Sequence, residues 1–115
     1  MTTLLKLEDI AKLILAYCAS LWLGFSWWMF FALLLVPDIS MIGYLVNPRV
    51  GAYLYNFAHH QALGIGVFLV GMFYAHDWTA LVGVVLFGHS AMDRIFGYGL
   101  KHTDSFKHTH LGWMK

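Results

Sequence analysis

Leu13 to Val36 reads LILAYCASLWLGFSWWMFFALLLV, 24 residues without one Asp, Glu, Lys or Arg. As a helix it covers a hydrocarbon core of about 30 Å with some tilt to spare. The pattern recurs further along the chain. Val50 to Ala75 is 26 residues without a formal charge, and Trp78 to Met92 is uncharged again. After Asp93 and Arg94 the apolar character resumes as Ile95 to Leu100. These runs predict an all-α integral membrane protein with three transmembrane helices, about 9–36, 50–76 and 78–100. Glu8 and Asp9 suit the first turn of the first helix, and Pro37 stops it.

The connections follow from what lies between the runs. Ile39 to Val46 is apolar but too short to span, and Asn47-Pro48 marks a turn. The segment about 39–46 is therefore expected to be a short interfacial or re-entrant helix. His76-Asp77 is a tight connection, so the second and third helices form an antiparallel hairpin. The tail 101–115 is polar, and 1–115 reads as a single domain.

Composition supports this reading. Of 115 residues, 60% are hydrophobic and 11% charged, against roughly 25% charged in a typical soluble domain. Seven Lys or Arg and six Asp or Glu are too few to solvate a small globule, which has the most surface per residue. Disorder is excluded on the same grounds. A net charge of +1 gives no basic field, so no nucleic acid is expected as a partner. Cys18 is the lone cysteine, which excludes an intrachain disulfide and a cysteine-based metal cluster. The first apolar run is too long for a signal-peptide core of about 7–15 residues.

Expected partners are membrane lipids and a second copy of the chain. Ala58, Ala62 and Gly66 recur at four-residue spacing, a pattern that lets helix backbones approach closely. Intrachain packing is the simpler use of that stripe. Arg49, Lys101, Lys107 and Lys115, with Arg94 nearby, outnumber Lys6 and Lys12 on the opposite side. The positive-inside rule then gives a multi-pass inner-membrane protein with a cytoplasmic C-terminus.

Ionisable groups inside such helices cost roughly 2.5–3.5 kcal/mol each and are expected to be functional. They are Asp38, His59, His60, His89, Asp93 and Arg94. His59 lies nine residues into the second helix, about 13 Å deep at about 1.5 Å per residue. His89 and Asp93 lie at comparable depth from the same face, and Asp38 closes the first helix there. His89 and Asp93 are at i and i+4, on one helix face. Tyr55, Asn56 and His59 form a second polar stripe.

Two readings compete for this cluster. In one, Asp38, His59, His89 and Asp93 hold a divalent metal, since imidazole plus carboxylate suits zinc, iron or manganese. In the other, the groups satisfy one another and fix helix register without chemistry. A Ser90-His89-Asp93 triad is disfavoured, because adjacent helical residues point in different directions and a triad needs a sequential hydrogen-bond chain. His76, His102 and His108 read as solvated, and the Trp and Tyr residues as interfacial anchors.

Two long motifs carry a resemblance. Pro37-Asp38-Ile39-Ser40-Met41-Ile42-Gly43-Tyr44, Asn47-Pro48-Arg49-Val50-Gly51-Ala52 and Tyr55-Asn56-Phe57-Ala58-His59 form the first. Gly88-His89, Asp93-Arg94, Gly97-Tyr98-Gly99-Leu100-Lys101, Phe106 and Thr109-His110-Leu111-Gly112 form the second. Together they resemble the domain of unknown function 4260 family from Pro37 onward. The resemblance implies a small bacterial membrane protein and no named activity. It marks His59 over His60, and it adds His110 to the site as a further ligand or a hydrogen-bond partner. The order Pro-Asp, His, His-x-x-x-Asp-Arg and Thr-His is also distantly similar to membrane-bound metal-dependent hydrolases.

The resulting expectation is metal-dependent hydrolysis of a lipid or small amphiphile. Asp38, His59, His89, Asp93 and His110 would hold the metal. Whichever of Asp38 and Asp93 is not engaged with the metal would act as base, and Arg94 would join them in the catalytic set, with Arg94 or Arg49 holding a phosphate or carboxylate group. Arg49, Tyr55 and Asn56 would contact substrate. The alternatives are a ligand- or proton-binding or transport module without enzymatic activity, and a structural membrane protein with a satisfied polar core. Tail residues Phe106, Thr109, His110 and Leu111 are expected to fold back over the site.

Overall fold

The computed structural model describes residues 2–74, 76–105 and 107–113. Its α-helices are α1 (Thr2–Trp22), α2 (Met29–Leu33), α3 (Pro48–His59), α4 (Gln61–Phe73) and α5 (Asp77–Ile95). A 3-10 helix occupies Val36–Leu45, and the tail ends in a two-stranded hairpin, β1 (His108–Thr109) and β2 (Gly112–Trp113). His108 lies opposite Trp113, and Thr109 opposite Gly112.

The chain is all-α apart from that hairpin, but the integral-membrane reading is overturned. Among the described residues, no helix is long and apolar enough to cross a membrane. Uncharged runs and helices differ in length, for reasons that each expected span shows separately. α1 spends its first half on Lys6, Glu8, Asp9 and Lys12 and stops at Trp22. Gly24 then turns the chain with φ 94°, a left-handed conformation that favours glycine. The 9–36 run therefore divides into α1, α2 and the start of the 3-10 helix. His60, at φ −78° and ψ 122°, is extended and cuts the 50–76 run in two. The pieces α3 and α4 have 12 and 13 residues. At about 1.5 Å per residue each is about 20 Å long, well short of a hydrocarbon core. α5 has 19 residues but carries Asp77, Asp93 and Arg94.

The Asn47-Pro48 turn works as a helix start. The Asn47 side chain accepts the Val50 N–H at 2.8 Å, and Pro48 occupies the first helical position, where its missing N–H costs nothing. The 3-10 helix ahead of it replaces the expected helix 39–46 and carries Asp38 in its first turn.

Packing places the long helices around α5. Its neighbours are α1 and α4, and Ala16, Phe30, Leu81, Val84 and Val85 form the buried core between α1, α2 and α5. α4 and α5 make the expected antiparallel pair, with their backbones in close approach. A Cβ on Gly83 would lie 2.2 Å from the Phe68 nitrogen, and one on Gly71 2.2 Å from the Ala80 nitrogen. The Ala58, Ala62 and Gly66 stripe does not serve this contact, since a Cβ on Gly66 would meet nothing within 4 Å.

α5 ends in a glycine cap. Gly97 has φ 88°, its N–H donates to the Arg94 carbonyl at 3.2 Å, and Tyr98 N–H donates to the Asp93 carbonyl at 2.7 Å. This reversal sends the tail back along the molecule. Lys101 bridges to Thr109, and the His110 N–H donates to the Leu100 carbonyl at 2.9 Å. Polar contacts hold the tail: Thr109 is buried, while Leu111 is exposed. Phe106 lies outside the described residues.

Candidate metal centre

Four side chains converge from three elements: Asp38 from the 3-10 helix, His59 from the last turn of α3, and His89 and Asp93 from α5. One ligand atom from each lies within 4.8 Å of the others. His89 Nε2 is 3.0 Å from Asp38 Oδ1 and 3.5 Å from Asp93 Oδ1. His59 Nε2 is 3.4 Å from Asp38 Oδ1 and 3.3 Å from Asp93 Oδ2. His59, His89 and Asp93 are buried, whereas the Asp38 side chain is 42% exposed, so the cluster opens at Asp38.

Both imidazoles are oriented from behind. His59 Nδ1 faces the Tyr55 carbonyl at 2.9 Å, and His89 Nδ1 faces the Leu34 carbonyl at 2.5 Å. A carbonyl oxygen only accepts, so each Nδ1 carries the hydrogen and each Nε2 of a neutral ring presents a lone pair to the carboxylates. For His59 this leaves Nε2 buried with no hydrogen-bond partner. Metal-ligating histidines are commonly held in this way, with the far nitrogen bonded to a backbone carbonyl.

The carboxylates and rings are held as firmly. Tyr55 Oη donates to Asp93 Oδ2 at 2.6 Å, and the Tyr55 ring stacks on His59 at 3.8 Å with planes 5° apart. Burial raises the Tyr55 hydroxyl pKa, and its bond to Asp93 adds to the rise. Burial also works against charged Asp93, but the His89 and Tyr55 contacts outweigh it and hold the carboxyl below its ordinary range. The two histidines shift in opposite directions. Burial lowers His59. At His89 burial lowers the pKa too, but Asp93 and Asp38 overcome it and the net shift is upward.

The other expected site residues are placed as follows. Tyr55 spends its hydroxyl on Asp93. Asn56 clamps the backbone of Lys101, donating from Nδ2 to its carbonyl at 2.7 Å and accepting its N–H at Oδ1 at 2.5 Å. Arg49 is exposed on the first turn of α3. Arg94 and His110 line a separate cavity between α1 and the tail. His110 is not one of the four converging residues: its Nδ1 accepts the Leu100 N–H at 2.8 Å, which corrects its assignment as a ligand.

Two contributors were missed in the sequence. Ser90 is buried and donates from Oγ to the His59 carbonyl at 2.6 Å, across from α5 to α3. Lys101, counted in the sequence only as a charge of the polar tail and as part of the second motif, is buried with Nζ 4.7 Å from the Tyr55 ring centroid. Burial lowers its pKa, and the charge of Asp93 works the other way. The available signal for Lys101 was its place just after Gly97-Tyr98-Gly99, where a helix cap turns the chain inward.

The family described as domain of unknown function (DUF4260) matches residues 2–114. The chain belongs to the DUF4260 family. The match takes in α1 as well as the two motifs that contribute the converging His and Asp residues. Against curated proteins and against solved structures, the DUF4260 chain has no match.

Proposed function

We propose that this protein binds one divalent transition-metal ion between Asp38, His59, His89 and Asp93 and uses it in a hydrolytic reaction. The observation that carries this is the arrangement of the two Nε2 atoms. Each ring is oriented by an Nδ1 bond to a carbonyl, and each Nε2 faces two carboxylate oxygens at 3.0–3.5 Å. Tetrahedral ligands at about 2.0–2.1 Å from zinc stand about 3.3–3.5 Å apart, close to these separations. Two carboxylates and two neutral imidazoles carry charge −2, which one divalent ion balances. Zinc, iron and manganese all accept this donor set.

A divalent ion in such a site polarises a substrate oxygen and activates water for hydrolysis. The chain's own groups have distinct tasks in this reading. Tyr55 and the two carbonyls fix the donors. Asp38, the exposed member, borders the opening where substrate enters; its Oδ1 faces both imidazoles, so its other oxygen is the one left to take a proton. Lys101 adds a positive charge behind Tyr55, which favours an anionic or polarised ester group. A separate apolar cavity of about 290 Å³ lies between α1, α4 and α5.

The test uses tag-free protein loaded with zinc, iron(II) or manganese(II) and a panel of carboxylic and phosphoric esters with short acyl chains. Hydrolysis that a chelator abolishes, that one metal restores, and that His59→Ala lacks supports the reading. A protein that binds metal but hydrolyses none of the panel with any of the three restricts the site to binding. One that binds no metal leaves the cluster as a proton-sharing network.

A further inference from the structure

A second cavity, of about 550 Å³, lies between the N-terminal half of α1 and the tail, with Arg94 on its wall. Asp93 and Arg94 are consecutive on α5, so their side chains diverge by about 100°. Asp93 faces the metal centre and Arg94 faces this cavity.

The charges around the cavity do not cancel. Asp9 and Lys12 pair with each other at 3.6 Å, and Lys12 also donates to Gln61 at 3.2 Å. That leaves Lys6 and Arg94 against Glu8. The Arg94 guanidinium makes no hydrogen bond or ion pair among the described residues. His110 adds a neutral donor: its Nδ1 accepts the Leu100 N–H, so the ring hydrogen sits on Nε2. Burial, and then the nearby charge of Arg94, lowers the His110 pKa, which keeps that ring neutral. Leu5 and Leu111 supply apolar wall beside these donors.

We infer that this cavity binds a small organic anion, whose phosphate or carboxylate group is held by Arg94, Lys6 and His110 and whose short apolar portion lies on Leu5 and Leu111. A guanidinium with two further donors suits a group with several acceptor oxygens. The site is built partly from α1 and partly from the tail, so its ligand ties the two together.

The experiment is calorimetric titration of the full chain, freed of metal by a chelator, with inorganic phosphate, phenyl phosphate and hexanoate at constant ionic strength. Removing metal prevents a phosphate that binds at the metal centre from counting, so the outcome is independent of the hydrolase reading. Saturable binding is expected, with phenyl phosphate tighter than inorganic phosphate. Arg94→Gln should weaken it about tenfold or more, the loss of one charge-assisted contact. Lys6→Gln, at an exposed position, should weaken it several-fold and covers the case in which Arg94→Gln does not fold. Hexanoate alone binding would identify the head group as carboxylate. No saturable binding of any probe, or binding unchanged in the folded variants, overturns the inference.

Discussion

Ser90 Oγ donates to the His59 carbonyl at 2.6 Å, joining the residue beside one imidazole to the backbone of the other. His59 ends α3, and the chain turns extended at His60, so that carbonyl has no helical donor ahead of it. The bond therefore completes a buried helix end and sets the separation of the two histidines. Ser90→Ala should cost about 1–3 kcal/mol, the penalty of an unsatisfied buried acceptor. It should also weaken metal binding while leaving all four donors in place. Urea denaturation of the metal-free protein reads the first effect, and metal titration reads the second.

Tyr55 holds the site in two ways that one substitution separates. Tyr55→Phe keeps the stacking on His59 and removes the 2.6 Å bond to Asp93. Loss of a partner behind a ligand typically weakens metal affinity about 10–100-fold. We expect a loss in that range with no change in stoichiometry. Unchanged affinity would mean that Asp93 keeps its orientation without Tyr55.

Asn56 reads as a latch for the tail. It makes both bonds to the Lys101 backbone, so Asn56→Ala removes a donor and an acceptor together. The Lys101–Thr109 bridge and the His110 bond to Leu100 lie beside that attachment. Amide hydrogen exchange at Lys101 should rise at least about tenfold in the variant, as two hydrogen bonds of about 0.5–1.5 kcal/mol net each are lost and the Lys101 N–H loses its acceptor. Equal protection in both proteins would show that the hairpin holds the tail without Asn56.

The converging residues were legible in the sequence, and the architecture around them was not. His89 and Asp93 share a helix face, and the motif around Pro37-Asp38 and the stripe ending at His59 pointed to the same end of the molecule. The His89/Asp93 pairing and the Tyr55/His59 stripe depend on helical periodicity alone and survive the change in fold, whereas the convergence of Asp38 with them was argued from membrane depth, a premise the fold removes. The membrane spans do not survive, because counting uncharged residues is blind to a backbone break. Nothing in His59-His60-Gln61 announces an extended residue, with no proline or glycine there, and Gly24 is one glycine inside an otherwise uniform run. Ser90 was set aside because it cannot form a triad with its neighbours. Its partner is a carbonyl on another helix, which no spacing rule reports.

Metal binding should weaken as pH falls, with its onset set by His89. Each Nε2 must be unprotonated to bind, so protons compete with the ion. At His89, Asp38 and Asp93 overcome burial and raise the pKa above the free value of 6.5. Competition therefore begins above pH 6.5 at this ring. His59, lowered by burial, takes up its proton only below that value. Tyr55 and Lys101 also face the cluster; the hydroxyl, raised by burial, stays protonated across this range. Affinity measured from pH 8 to pH 5 should fall by up to about a decade per unit for each proton displaced. His89→Gln, if it still binds, should shift the onset to lower pH.

The most direct test is the metal content of tag-free protein after incubation with zinc, manganese(II) or iron(II) and removal of free ion, measured by elemental analysis. We predict one ion per chain for at least one of these metals, and near-complete loss in His59→Ala and in Asp93→Asn, each checked for retained helicity by circular dichroism. Asp38→Asn, at the exposed edge, should retain partial binding. Less than about a tenth of an ion per chain with all three metals, or equal content in the parent and the folded variants, would contradict the account.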